Sequence, residues 1–159
     1  MSRDLDSPTH KEDIRLDECL AEMGTLLRYA TGPRVRLRLH VGMVPKVRLN
    51  RLGLQNVLVN LAINARDAMP EGGVLAISAL LAEGPETPEV EIVVADTGTG
   101  MDRDVLARAF EPRFSTKPTG GGMGLAGARQ FIEAAGGRIA IDSTPRKGTA
   151  VTLRLPASA

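Results

Sequence analysis

Two asparagines four residues apart, Asn60 and Asn64, are the first groups in this chain whose types and spacing could do chemistry. On a helix they share one face. Each carboxamide offers an acceptor oxygen and two donor hydrogens. Magnesium takes oxygen ligands and usually keeps several waters plus substrate phosphates. A neutral asparagine oxygen therefore suits an ion whose charge is already met by phosphate. Taken alone, the pair could equally be two polar residues on a wet helix face.

Four further blocks follow in order. Asp96-Thr-Gly98-Thr-Gly100 closes the apolar run Glu91–Ala95. A carboxylate at that place can accept a hydrogen bond from an exocyclic amine such as that of adenine. Gly98 and Gly100 let backbone approach a flat ring or take positive φ. Next, Phe110-Glu-Pro-Arg113-Phe114 is followed by Ser115, Thr116 and Lys117. Two phenylalanines four apart can anchor a movable segment, and Arg113, Ser115, Thr116 and Lys117 supply donors that a triphosphate attracts. Then Gly120, Gly122 and Gly124 lead into an apolar stretch starting at Leu125. A glycine-rich turn feeding a helix start presents backbone N–H groups to phosphate. It is not a Walker loop, because Leu125-Ala126 stands where Lys-Ser/Thr is required. It is not a dinucleotide fingerprint, because a long polar loop precedes it instead of a strand. Gly148-Thr149 completes the set. A polar helix face, two glycine-rich turns and a mobile segment between them suit a pocket for a nucleotide and its metal.

The elements that must position these groups are visible as periodicities. Leu16, Leu20, Met23, Leu26 and Leu27 follow helical spacing from Ile14 to Tyr29, with Asp17 as the expected cap and Gly32-Pro33 as the stop. Val35, Leu37, Leu39 and Val41 alternate with Arg and His, which predicts a strand with one wet face. Gly42 to Pro45 reads as a turn. Leu54, Val57, Leu58, Leu61 and Ala65 give a buried stripe to a helix from about Asn50 to Met69. Strands are expected at Val74–Leu81, Glu89–Ala95, Arg138–Asp142 and Ala150–Leu155. A short helix capped by Asp102 runs to Ala109, and another helix covers Gly124–Ala135. Hairpin-length links imply a mixed, mostly antiparallel sheet. Three main helices on one face make this an α+β fold, a two-layer α/β sandwich.

Composition bounds the rest. The chain has 159 residues, 43% of them hydrophobic and 3% aromatic, with a net charge of +1. This predicts one domain with an aliphatic core, burying roughly 70% of its unfolded surface. No whole-chain field argues for nucleic acid or a membrane surface. The single cysteine, Cys19, excludes an intrachain disulfide and fits a reducing compartment. No apolar run approaches the roughly 20 residues of a membrane span. The polar first 13 residues read as a flexible leader or linker remnant, residues 14–156 as the domain, and 157–159 as a tail. The expected setting is cytoplasmic, although a parent protein could be membrane-anchored.

Together the blocks resemble the N, G1, F, G2 and G3 boxes of the ATP-binding catalytic domain of bacterial sensor histidine kinases. That domain, with the Bergerat fold, belongs to the GHKL superfamily shared with gyrase-type and MutL-type ATPases. Asn60-Leu-x-x-Asn64-Ala-Arg-Asp67-Ala-Met69 and Glu111-Pro with Phe114-Ser-Thr-Lys117 look like the NtrB-like and hybrid group. The resemblance implies ATP and Mg2+ as cofactors, with Asn64 as the magnesium ligand and Asn60 facing the phosphates. Asp96 would bind the adenine amine, with Gly98, Gly100 and Thr149 beside the base. Gly120, Gly122 and Gly124 would hinge an ATP lid spanning about residues 101–123. Asp67, Met101, Phe110, Met123 and Leu125 would complete the nucleotide contacts, and Lys117 would reach the γ-phosphate.

Asn60 stands where gyrase-type ATPases carry a water-activating Glu. A carboxamide is no general base, so the resemblance implies phosphoryl transfer to a protein histidine, by positioning and charge stabilisation. Arg113 departs from the apolar residue usual in the lid. No His-bearing dimerisation hairpin is visible; His10 has no preceding long helix, and His40 reads as structural. The implied partner is therefore a dimerisation domain in the parent chain or in trans, and through it a response-regulator receiver domain. The isolated domain is expected to be a monomer without autophosphorylation. The alternatives are a regulatory nucleotide-binding module of the same fold and a GHKL-type ATPase or serine kinase.

Overall fold

Alternating apolar and charged residues and two amphipathic stripes fold into the layers they predict. The computed structural model describes residues 10–111 and 124–158. In chain order the elements are β1 (Glu12–Ile14), α1 (Leu16–Thr31), β2 (Val35–Val41), β3 (Val47–Leu49), α2 (Arg51–Asp67), β4 (Gly73–Ala82), β5 (Glu89–Asp96), α3 (Arg103–Ala107), α4 (Leu125–Ala134), β6 (Arg138–Thr144) and β7 (Gly148–Pro156). Five strands form one sheet in the order β2-β4-β5-β7-β6. β2 and β4 are parallel, because α2 crosses over between them. The other three pairings are antiparallel.

Helices α1, α2 and α4 cover one face of this sheet. Leu20, Met23 and Leu27 of α1, Leu54, Leu58 and Leu61 of α2, and Ile132 of α4 are buried. They meet the inward residues Leu75, Ile77, Ile92 and Leu153 in a single aliphatic core. Full burial of each such side chain contributes about 1.5–3 kcal/mol. The opposite sheet face is open, and Arg36, Arg38 and His40 of β2 stand exposed on it. The layered α+β architecture is thus the one the periodicity implied.

Three local readings give way to tertiary contacts. Asp17 does not cap α1: the N-cap is Arg15, without a side-chain cap. The Asp17 carboxylate instead accepts from the Glu18 N–H and from Arg15. The leader does not run through residue 13, because Glu12, Asp13 and Ile14 pair with Leu49, Arg48 and Val47 as the two-stranded sheet β1–β3. Three-residue strands are too short to show a period, which is why neither was anticipated. The tail is not free either. Ala157 bridges Val47, and its N–H donates to the Pro88 carbonyl at 2.9 Å. Ser158 donates from its N–H to Lys46 O and from its hydroxyl to Asp13.

The start of α2 is tied into this same corner. Asn50 caps the helix by accepting from the Gly53 N–H at 2.7 Å and donates from Nδ2 to the His10 carbonyl. Arg51 bonds the Glu12 carboxylate at 2.8 Å. That hydrogen bond, more than burial opposes it, holds Glu12 below the usual carboxylate range. The helix that carries the two asparagines is therefore anchored at its far end.

Candidate nucleotide-binding site

The C-terminal half of α2 supplies the polar face. Its stripe of Leu54, Val57, Leu58, Leu61, Ala62 and Ala65 is buried. The helical period then leaves Asn60 and Asn64 at the boundary, each half-buried, and Asp67 exposed one turn further on. Asn60 donates from Nδ2 to the Asn56 carbonyl at 2.8 Å. This uses one of the two amide hydrogens within its own helix. Asp67 takes an ion pair from the neighbouring Arg66 at 3.0 Å.

β5 delivers Asp96 to the end of the sheet next to α2. Its Oδ1 accepts from the Gly98 N–H at 2.8 Å and from the Thr149 N–H at 3.3 Å. Burial raises its pKa above the ordinary aspartate value, and the two backbone hydrogen bonds only partly oppose this. A half-buried carboxylate with one oxygen fixed by backbone presents its other oxygen as a strong acceptor.

The turn after Asp96 is clamped from two sides. On one side the Thr99 N–H donates to the Ala68 carbonyl at 2.9 Å. Gly98 lies so close that a Cβ there would strike the Ala68 backbone. On the other side Gly100 has φ +68°, and a Cβ on it would strike the Thr144 carbonyl. The tip of the β6–β7 hairpin adds a hydrogen bond from the Arg146 N–H to Thr99 O at 2.6 Å. Met101 donates from its N–H to the Ser143 hydroxyl at 2.8 Å. Both glycines are therefore required by close approach, and Gly100 also by its left-handed backbone.

Asp96, Gly98, Gly100, Met101 and Thr149 are drawn together at one end of the sheet by strand pairing and turn contacts, and the Thr99–Ala68 hydrogen bond sets the C-terminal end of α2, the helix of Asn60, Asn64 and Asp67, against that turn. Phe110 follows α3, and the Arg129 guanidinium of α4 lies 5.2 Å from its ring centroid. Gly124 is the N-cap of α4 and has no side-chain cap, so the first N–H groups from Leu125 onward are not met by a capping side chain. Lys117, Gly120, Gly122 and Met123, with Arg113 and Phe114, lie outside the described residues. Sequence reasoning missed Ala68, Ser143 and Arg146. Only Gly148-Thr149 hinted at them, since a hairpin ending there must fold its tip over the Asp96 turn.

Residues 49–159 match the family described as histidine kinase-, DNA gyrase B-, and HSP90-like ATPase. The chain belongs to this ATPase family. Among curated proteins it is 38% identical to the sensor kinase CckA of Brucella abortus, over 91% of this chain and 17% of that protein. It is 35% identical to the sensor protein FixL of Bradyrhizobium diazoefficiens, over 90% of this chain and 28% of that protein. The chain thus spans under a third of the length of these relatives. Among solved structures, the catalytic domain of histidine kinase ThkA, in a nucleotide-free form, superposes with a TM-score of 0.73 at 25% identity. That match covers 92% of this chain and 95% of the other. Full-length ShkA in complex with AMPPNP shares the fold with a TM-score of 0.80 at 24% identity, covering 99% of this chain and 34% of that one. The chain therefore corresponds to the ATP-binding catalytic domain of sensor histidine kinases.

Proposed function

We propose that this domain binds Mg-ATP between α2 and the Asp96 turn and donates the γ-phosphoryl group to a histidine on a dimerisation domain. The observation that carries the reading is the half-buried Asp96, its Oδ1 fixed by two backbone N–H groups and its second oxygen free to accept from the adenine amine. Asn60 and Asn64, four residues apart, share one face of the adjoining helix. Their neutral oxygens fit magnesium, which takes oxygen donors and keeps phosphate and water in its shell. When bound, magnesium would neutralise charge developing on the phosphates. Asn64 would be its protein ligand and Asn60 would face the phosphates. Asp67, Met101, Phe110, Gly124 and Leu125 would complete the nucleotide contacts, and Thr149 would lie beside the base. Lys117, Gly120, Gly122 and Met123 would act from the lid.

Asn60 also supports transfer over hydrolysis, because a carboxamide cannot take a proton from water. The dimerisation domain supplies the acceptor histidine, in the parent chain or in trans, and a receiver domain then takes the phosphoryl group from it. A cytoplasmic setting fits this chemistry.

The test mixes the domain with a histidine-bearing dimerisation hairpin from a CckA-type kinase and labelled Mg-ATP. Acid-labile phosphohistidine on the hairpin is the expected product. A domain that binds both ATP and hairpin yet yields none would turn the reading towards a regulatory nucleotide-binding module.

A further inference from the structure

The net charge of +1 hides a segregation of charge along the chain. Between Glu22 and Asp67 there is no Asp or Glu, while Arg34, Arg36, Arg38, Lys46, Arg48 and Arg51 all fall in that stretch. Arg48 and Arg51 are met by carboxylates of β1, Asp13 at 3.4 Å and Glu12 at 2.8 Å. Arg36 and Arg38 of β2 have no hydrogen-bond or ion-pair partner among the described residues.

These two arginines and His40 occupy alternate, exposed positions on the open sheet face, roughly 7 Å apart along an edge strand. Pairing sets Val74, Ala76 and Ser78 of β4 beside them, side chains too short to shield a guanidinium. The row through Arg38 continues over Ala76, Ala95 and Ala150 and reaches a carboxylate, Asp142, only on the opposite edge strand. Glu89 and Glu91, further along, are already taken by Arg138 and Arg154.

The ladder ends in an apolar tip. The chain leaves β2 at Gly42, whose N–H donates to Ala79 O at 2.9 Å. Leu80 leans over this turn, its Cδ2 3.2 Å from where a Cβ on Gly42 would stand. Leu80 is 45% exposed and Met43 98%, so no wall of the chain shapes a recess around Met43. Charge on an edge strand discourages pairing with another edge, but that purpose does not call for bare apolar side chains at its end. Unpaired cations beside a projecting apolar tip match a deformable surface that is negative outside and apolar within.

We propose that the β2 edge is a peripheral docking surface for an anionic lipid bilayer: Arg36 and Arg38 meet headgroup phosphates, and Met43 with Leu80 enters the boundary beneath them. The helical layer, α2 and its asparagines included, lies on the other side of the sheet and stays turned to solution. The proposal is independent of the nucleotide reading.

The experiment is co-sedimentation of the intact chain with vesicles of phosphatidylglycerol and phosphatidylcholine in equal parts, and of phosphatidylcholine alone, across a salt series. Binding is expected to the anionic vesicles only and to weaken as salt rises. R36Q/R38Q should lower the partition about 30-fold, roughly fivefold for each cation, and M43S roughly threefold. R36K/R38K should retain it, because a bilayer reads charge and not the guanidinium fork. Absence of binding, or equal binding to neutral vesicles, overturns the proposal. Loss of binding in R36K/R38K would reveal shaped recognition of carboxylates or phosphates on a folded partner, and overturns the lipid reading. So does a duplex oligonucleotide that displaces the vesicles and binds M43S as well as the parent. Should R36Q/R38Q melt far below the parent, M43S and the salt series decide, and a partition that neither alters overturns the proposal.

Discussion

The proposed base side and phosphate side of this site are built in opposite ways. On the base side, Asp96, Gly98 and Gly100 are held by partners far away in sequence: Thr149 at one strand, Ala68 at the end of α2, Thr144 and Arg146 at a hairpin tip. On the phosphate side, Asn60 and Asn64 owe their common face to the helical period alone, and α2 is kept in place by its buried stripe and its capped start. The base side is a preorganised clamp with backbone in contact with backbone. The phosphate side is a row of side chains on a well-packed helix. The first tolerates almost no added atom, whereas the second should lose function without losing its fold.

The most disruptive test of this contrast is Gly100→Ala. It places a Cβ on the Thr144 carbonyl and forces a side chain into positive φ. Chemical denaturation should show a loss of about 3 kcal/mol, with nucleotide affinity falling alongside. A variant of parental stability would mean that the clamp is soft.

Next in size is Asp96→Asn. The replacement keeps an acceptor for the Gly98 and Thr149 N–H groups but removes the charge, so ATP affinity should fall by about 2 kcal/mol, roughly 30-fold, in calorimetry. Its stability should move the other way. Burial raises the Asp96 pKa, which means that the folded state disfavours the carboxylate. That penalty is present above the raised folded pKa and vanishes below the unfolded value. The unliganded D96N domain should therefore melt higher than the parent at neutral pH, with the gain disappearing in acid. For the same reason, parental ATP affinity should weaken as pH falls through the raised Asp96 pKa. A D96N variant that binds ATP like the parent removes the adenine role.

Asn64→Ala sharpens the other half of the comparison. Magnesium-dependent ATP affinity should drop about tenfold, near 1.4 kcal/mol, while binding measured in EDTA should be unchanged. Melting should shift little, because Asn64 is not part of the buried stripe. An equal loss with and without metal would reassign the residue from ion to phosphate.

The smallest effect is expected at Arg129→Ala. It removes the guanidinium over Phe110 and the ion pair with Glu133, together below about 1 kcal/mol at an exposed site. A larger loss would show that the contact between Phe110 and α4 helps hold the site together.

Much of this was legible along the chain because it repeats at short range. The 3.6-residue stripe of α2 put Asn60 and Asn64 on one face, and the apolar run ending at Asp96 marked a strand that delivers a carboxylate to a turn. The β1–β3 pair and the docked residues 157–158 left no such trace. Three residues show no period, and their partners lie dozens of positions away. Ser143 was invisible for the same reason: it resembles any polar residue before a hairpin until pairing sets it beside Thr149.

The sequence by itself determined the layers, the helix that carries the asparagines, and the residue types of the site, since these follow from local periodicity and from chemistry intrinsic to each side chain. Only the tertiary structure decided that the Asp96 turn is clamped between Ala68 and a hairpin tip, and that the Ser143 hydroxyl stands beside that of Thr149. Those are properties of backbone groups brought together by strand pairing, and a donor or acceptor acquires its direction only when its partner is in place.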